Sequence, residues 1–154
     1  MKYLLPLLAL VTATAARAAP SDVTLTNQVF VEHVRVDAQG HRNVTLDPPQ
    51  VVTPGDHLLF VLTYRNGGAE PATGFAVTNP IPSAVAFERS DDASAVVSVD
   101  GGQSWGPLAS LTVAQPDGSR RPAVAADVTH VRWAFSQPIP AGGQGRLSFR
   151  GIVK

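Results

Sequence analysis

The chain contains no cysteine. That excludes disulfides, thiolate zinc sites, thiol catalysis and a lipid-modified N-terminal cysteine. A domain of this size can fold without disulfide staples. Aromatic residues are also scarce, with two Trp, two Tyr and six Phe, so each large ring carries an unusual share of any core. Lysine occurs only at Lys2 and Lys154, and arginine supplies the remaining basic charge. Twelve basic residues balance twelve acidic ones, which gives nothing to steer the protein to nucleic acid or an anionic membrane. Outside the first residues no window has the period of a helix, and no apolar run is long enough to span a bilayer.

Several features of the chain are nonetheless well defined. Met1-Lys2 is a short positive start, Tyr3 to Val11 is apolar, and Ala16-Arg17-Ala18 fits the small-x-small rule for signal cleavage. This predicts a removable secretory signal over residues 1–18, cleaved between Ala18 and Ala19. The remaining 136 residues, 19–154, form one domain with ten basic and twelve acidic residues, a net charge of about −2. The product is then exported, periplasmic or extracellular, and carries no integral membrane segment once the signal is gone. No carboxy-terminal anchor or sorting signal is expected.

The stretch from Thr53 to Gly68 orders the rest. Pro54 fixes φ at the second position of a turn, and Gly55 supplies positive φ at the third, with Asp56 following. Leu58, Phe60, Leu62 and Tyr64 then share one face and Leu59, Val61 and Thr63 the other, the pattern of a strand buried on both sides. Val23–Asp37 reads as a long extended segment, turning at Ala38–His41 into a return strand at Asn43–Leu46. Asp47-Pro48-Pro49-Gln50 breaks the pattern. Thr73–Thr78 and Ala84–Glu88 are strand-like, and Asn79-Pro80-Ile81-Pro82 ends the former. Ala95–Val99 is expected to pair with Leu108–Ala114 as a hairpin, with Pro116–Pro122 an exposed turn. In Asp127–Phe135, Val131, Trp133 and Phe135 alternate inward, and Leu147–Val153 closes the domain. Short strands between Gly/Pro turns predict an all-β, immunoglobulin-like sandwich of about seven to nine antiparallel strands. A small closed barrel is the alternative.

Val52-Thr53-Pro54-Gly55-Asp56, followed by Phe60 to Gly68, resembles the opening signature of a bacterial and archaeal surface-protein domain known only as domain of unknown function eleven. Phe75 to Pro82 is similar to its next element, and Asp127–Trp133 with Ile139–Gly143 is similar to single-domain secreted members. The likeness spans Val23 to Val153. Two departures stand out: Ala141-Gly142 replaces the usual Pro-Gly, and one copy is present where many relatives are tandem arrays. The resemblance implies an immunoglobulin-like fold and a cell-envelope or extracellular setting, and implies no reaction.

Ser98 to Trp105 resembles the Asp-box, a hairpin motif of sialidases and other secreted β-proteins. In it Asp100 accepts backbone N–H bonds, Gly102 tolerates positive φ and Trp105 packs back over the turn. This is a structural turn rather than a ligand site. The histidines, at positions 33, 41, 57 and 130, stand too far apart in sequence to suggest a zinc site. Asp91, Asp92, Asp100 and Asp117 make no spaced calcium loop. There is no Gly-x-Ser-x-Gly elbow, and Gly142 to Gly145 precedes a strand rather than a helix, so neither a hydrolase nor a phosphate loop is indicated. No cofactor and no enzymatic activity are expected. The functional expectation is a non-enzymatic, exported structural or interaction module working through surfaces and strand edges, with envelope proteins or further copies as partners. Alternatives are a carbohydrate- or ligand-binding module, which needs exposed aromatics, and a filament subunit whose N-terminal strand pairs in trans.

Overall fold

The computed structural model describes residues 22–154, so the expected signal segment and the expected cleavage between Ala18 and Ala19 lie outside the described residues. Ten strands follow in order: β1 (Val23–Val36), β2 (Arg42–Asp47), β3 (His57–Asn66), β4 (Ala76–Pro80), β5 (Val85–Arg89), β6 (Ala95–Ser98), β7 (Thr112–Ala114), β8 (Arg120–Pro122), β9 (His130–Ala134) and β10 (Gln144–Val153). Two single 3-10 turns, Leu108–Ser110 and Ala125–Asp127, are the helical elements among the described residues. Every strand pairing is antiparallel. Strands β2-β1-β3-β10-β5 form one layer and β4-β9-β6 the other, while β7 and β8 form a separate ribbon. The fold is all-β, and eight of its strands make the two-layer sandwich.

The alternation in β3 explains its place in the middle of the larger layer. Leu58, Phe60 and Leu62 point into the core, while Leu59 is buried on the opposite face. Phe60 stacks on Phe149 of β10 with ring centroids 4.4 Å apart, and Phe149 also meets Phe87 at 6.4 Å and Trp133 at 6.3 Å. Val131 and Trp133 of β9 close the core from the other layer, joined by Val77 and Val97. Trp133 is therefore a core residue. On the inward face of β10, Leu147 and Phe149 are flanked by Gly145 and Gly151. A Cβ at Gly145 would overlap the Tyr64 ring, and one at Gly151 would overlap Val85, so the close approach needs glycine at both.

The expected hairpin between Ala95–Val99 and Leu108–Ala114 does not form. β6 pairs with β9 instead, through Ala95–Trp133 and Val97–Val131. Pro107 has no N–H for a ladder, and Leu108–Ser110 turns as a 3-10 helix with Ser110 N–H donating to the Pro107 carbonyl at 2.9 Å. The backbone bonds from this side to β6 come from Gly106, which exchanges two with Val97. Thr112–Ala114 then pairs with Arg120–Pro122, so part of the expected exposed turn is strand β8. In β4 the strand begins later than expected, at Ala76, and runs through Asn79 and Pro80.

The ribbon is pinned to the body by one ion pair. Arg121 of β8 donates from both terminal nitrogens to the Asp127 carboxylate, at 2.6 and 2.7 Å. Val124 N–H donates to the same carboxylate at 2.8 Å. The Arg121 bond first, then the Val124 N–H, holds Asp127 down at about 2, below its ordinary 3.8. A depressed folded-state value means the stabilisation is complete above pH ~4 and disappears as pH falls through about 2. Asp127→Asn is accordingly expected to loosen the ribbon at pH 6, read as faster proteolysis between Gln115 and Arg121, with the difference from wild type shrinking as pH falls from about 4 towards about 2, read by acid-compatible protease digestion. Equal cleavage rates at pH 6 would refute this.

Candidate interaction face

In β1 the outward side chains are Gln28, Phe30, Glu32, Val34 and Val36, and the register with β2 sets Val34 opposite Val44 and Glu32 opposite Leu46. The same side of β3 carries Leu59 and Val61, and that of β10 carries Arg146, Ser148 and Arg150. These residues form the outer surface of the larger layer. The β1–β2 hairpin extends beyond the smaller layer, and every residue of β2 is exposed. Val36 is 64% and Val44 53% exposed, with Val34 and Leu46 also open to solvent. A shallow trough of about 600 Å³ runs across this surface, with Val34, Val44, Leu46 and Leu59 on its apolar side.

Its other side is a chain of charges drawn from four strands and one loop. Arg150 Nε donates to both Glu32 oxygens at 3.0 Å, and Arg150 Nη1 donates to Asp91. Arg89 bridges Asp91 at 3.2 Å and Glu88 at 2.7 Å, and His57 Nδ1 lies 3.1 Å from Glu88. Burial opposes the Arg150 charge, but the hydrogen bonds it donates to Asp91 and Glu32 outweigh that and raise its pKa above the ordinary guanidinium value. The Arg150 hydrogen bond is the first cause holding Asp91 below the ordinary carboxylate range. The Arg150 and Glu32 side chains are only 18% and 10% exposed. Arg150→Met leaves Glu32 a nearly buried, unpaired charge, and a loss of about 2 kcal/mol in urea denaturation is expected, less than for a pair sealed from water. Adding Glu32→Gln should recover most of it, and no recovery would show that Arg150 acts through packing alone.

The residues singled out in sequence occupy other places. Gly55 has φ of 97°, as the turn after Pro54 requires, and Asp56 accepts from Thr53 N–H at 2.7 Å. Gly55 N–H donates to Val153 and Val153 N–H to Asp56, so this turn ties the end of β10 to the start of β3. In the Ser98–Trp105 turn, Asp100 accepts from the Ser104 hydroxyl at 2.5 Å, from Ser104 and Gln103 N–H, and from the Ser98 hydroxyl. These bonds, led by the Ser104 hydroxyl, lower its pKa far below the usual range. Gly102 has φ of 91°. The Trp105 indole N–H donates to the Gly102 carbonyl at 3.0 Å, and the Arg132 guanidinium sits 3.8 Å from its ring centroid. One face of that ring is thus occupied by the protein itself.

Tyr64 is half-buried edge-on against Phe135, at a different part of the sandwich from Trp105. The histidines are dispersed: His33 faces Asp47, His41 faces Asp37, His57 faces Glu88 and His130 faces Thr129. Among the described residues no group of three or more metal-ligating side chains converges. The chain matches no protein-family model, no curated protein and no solved structure.

The charge network was not foreseen, because its members are distant in sequence and only strand register brings them together. A second omission is Asn66. It is buried, its side-chain NH2 donates to the carbonyls of Glu70, Ile139 and Pro140, and its Oδ1 accepts from Gly68 N–H. The sequence signal available was an Asn ending an apolar strand before Gly-Gly, which reads equally as a simple stop.

Proposed function

We propose that the protein is a non-enzymatic, exported structural or interaction module of the bacterial cell envelope or exterior, acting through its surface and strand edges. The observation that carries this reading is the outer face of the β1–β2 hairpin, where four aliphatic side chains stand open to solvent beside a paired charge network. An aliphatic surface rimmed by polar groups favours association with another macromolecule. The signal-like first 18 residues and the likeness to the surface-protein domain support the setting. The carbohydrate alternative is less supported, because Trp105 is capped by Arg132 and Tyr64 lies elsewhere. Strand exchange would require β1 to leave ten residue pairs with β3.

The test is affinity capture from the native envelope with the protein tagged after Lys154. The expected result is recovery of a defined envelope partner or of further copies, lost when Val44→Asp and Val36→Asp are combined. Intact mass of the exported product should correspond to a start at Ala19. Retention of the first 18 residues in the cytoplasm, or capture unaffected by the double variant, would refute the reading.

A further inference from the structure

The edges of the sandwich are treated unequally. The edge of β6 is engaged by Gly106. The edge strand β4 contains Pro80 and is linked to β1 through Asn27 and Asn79. The 3-10 turn Ala125–Asp127 packs beside β5. Among the described residues β2 has none of these protections: its one strand partner there is β1, and its six residues, Arg42-Asn43-Val44-Thr45-Leu46-Asp47, hold neither lysine nor proline. Unprotected edges with a β-branched, apolar centre are sites of strand pairing.

We infer that β2 is the pairing edge for a second copy of this chain, joined antiparallel about a two-fold axis at Thr45. This rests on the interaction-module reading and names its partner. The sequence of β2 is complementary to itself in that register. On the outer face Val44 lies opposite Leu46 of the other copy, and this apolar match occurs twice. On the other face Thr45 meets Thr45, and Asn43 meets Asp47. Shifting the axis to Val44 would set Arg42 against Leu46, a poorer match. The strand is basic at its start and acidic at its end, so antiparallel pairing brings Arg42 near the acidic end of its counterpart rather than near a like charge. The exposed Val34, Val36, Val44 and Leu46 of both copies then form one continuous stripe on a ten-stranded sheet. An edge of six residues buries less than a permanent interface requires, so the dimer is concentration-dependent.

The absence of cysteine permits a direct test on the full chain, purified as the secreting cell processes it. Facing residues of an antiparallel pair have Cα atoms about 4.5–5.5 Å apart. That separation lies inside the roughly 4.4–6.8 Å range a disulfide spans. Thr45→Cys should therefore give a disulfide-linked dimer on mild oxidation, faster than Ser119→Cys on the exposed β7–β8 turn. Sedimentation of the wild type should shift from the monomer to twice its mass as concentration rises. Thr45→Lys and Thr45→Glu, each checked for a native circular dichroism spectrum, should lose that shift alone and regain it when mixed in equal amounts. The inference is overturned if the wild type stays monomeric, if Thr45→Cys links no faster than Ser119→Cys, or if both charged variants dimerise alone. It is also overturned if the edge captures a foreign strand without self-association. In that last case envelope capture still succeeds, and the interaction-module reading stands.

Discussion

Replacing Phe149 with alanine should bring the domain to the margin of unfolding. The ring has no solvent exposure and is the point where both layers meet, stacked on Phe60, beside Phe87, and facing Trp133 across the sandwich. Truncating such a ring typically costs about 3–5 kcal/mol, the transfer energy of the lost atoms plus the cavity left behind. Domains of this size are usually stable by only about 5–15 kcal/mol. Collapse around the gap is restricted, because Gly145 and Gly151, the neighbouring glycines of β10, are already in close approach to Tyr64 and Val85. Urea denaturation should show the midpoint falling with the slope unchanged. A loss under about 1 kcal/mol would mean that Phe149 is not the keystone of the core. Trp133→Phe provides a useful contrast. The indole N–H of Trp133 is buried without an acceptor among the described residues, so this change removes an unsatisfied donor together with some volume. Its cost should be well below that of Phe149→Ala.

Phe60 and Trp133 were legible from the sequence because period-two alternation with large apolar residues is a local signal. The turn at Pro54-Gly55 was legible for the same reason, since turn geometry depends on the residues in the turn. Strand partners are another matter. Ala95–Val99 has a plausible partner nearby in Leu108–Ala114, yet it pairs with β9 more than thirty residues away. Lengthening a loop adds only a slowly growing entropic cost, so a better buried partner outcompetes a nearer one. Val131 and Trp133 give β6 that burial, whereas Pro107 and the 3-10 turn divert the nearer segment. The trough on the outer face was hidden for the same reason. Glu32, His57, Glu88 and Arg150 come from four strands, and nothing in their local sequence announces that they share a face. The open edge of β2 depends on what fails to pair with it, which only the assembled sheet reveals.

Asn66 joins these two kinds of information, and Asn66→Asp should have the other large effect. The substitution keeps the shape of the side chain and replaces its two N–H donors with a carboxylate. At 1% exposure, that carboxylate would lie against the carbonyl oxygens of Glu70 and Ile139, each 2.9 Å from the present nitrogen, and of Pro140 at 3.2 Å. Burying an unpaired charge among acceptors costs several kcal/mol, and about 3–5 kcal/mol is expected at pH 7. The backbone of Asn66 also bonds the turn at Gly142–Gly143, so the damage should reach both loops at this end of the sandwich. The pH dependence has a definite sign. Burial and the facing carbonyls raise the folded-state pKa of the new carboxyl above its unfolded value of about 3.9. The deficit relative to wild type is therefore full above the raised value, and it shrinks as pH falls through that value towards 4. Below that, one O–H donor replaces two N–H donors, leaving a residual loss of about 1 kcal/mol. Because Asp127 titrates in both proteins, the difference between them isolates position 66. Urea denaturation of the two proteins between pH 4 and pH 8 measures it, and a pH-independent difference would show that the amide does not clamp the two loops as described.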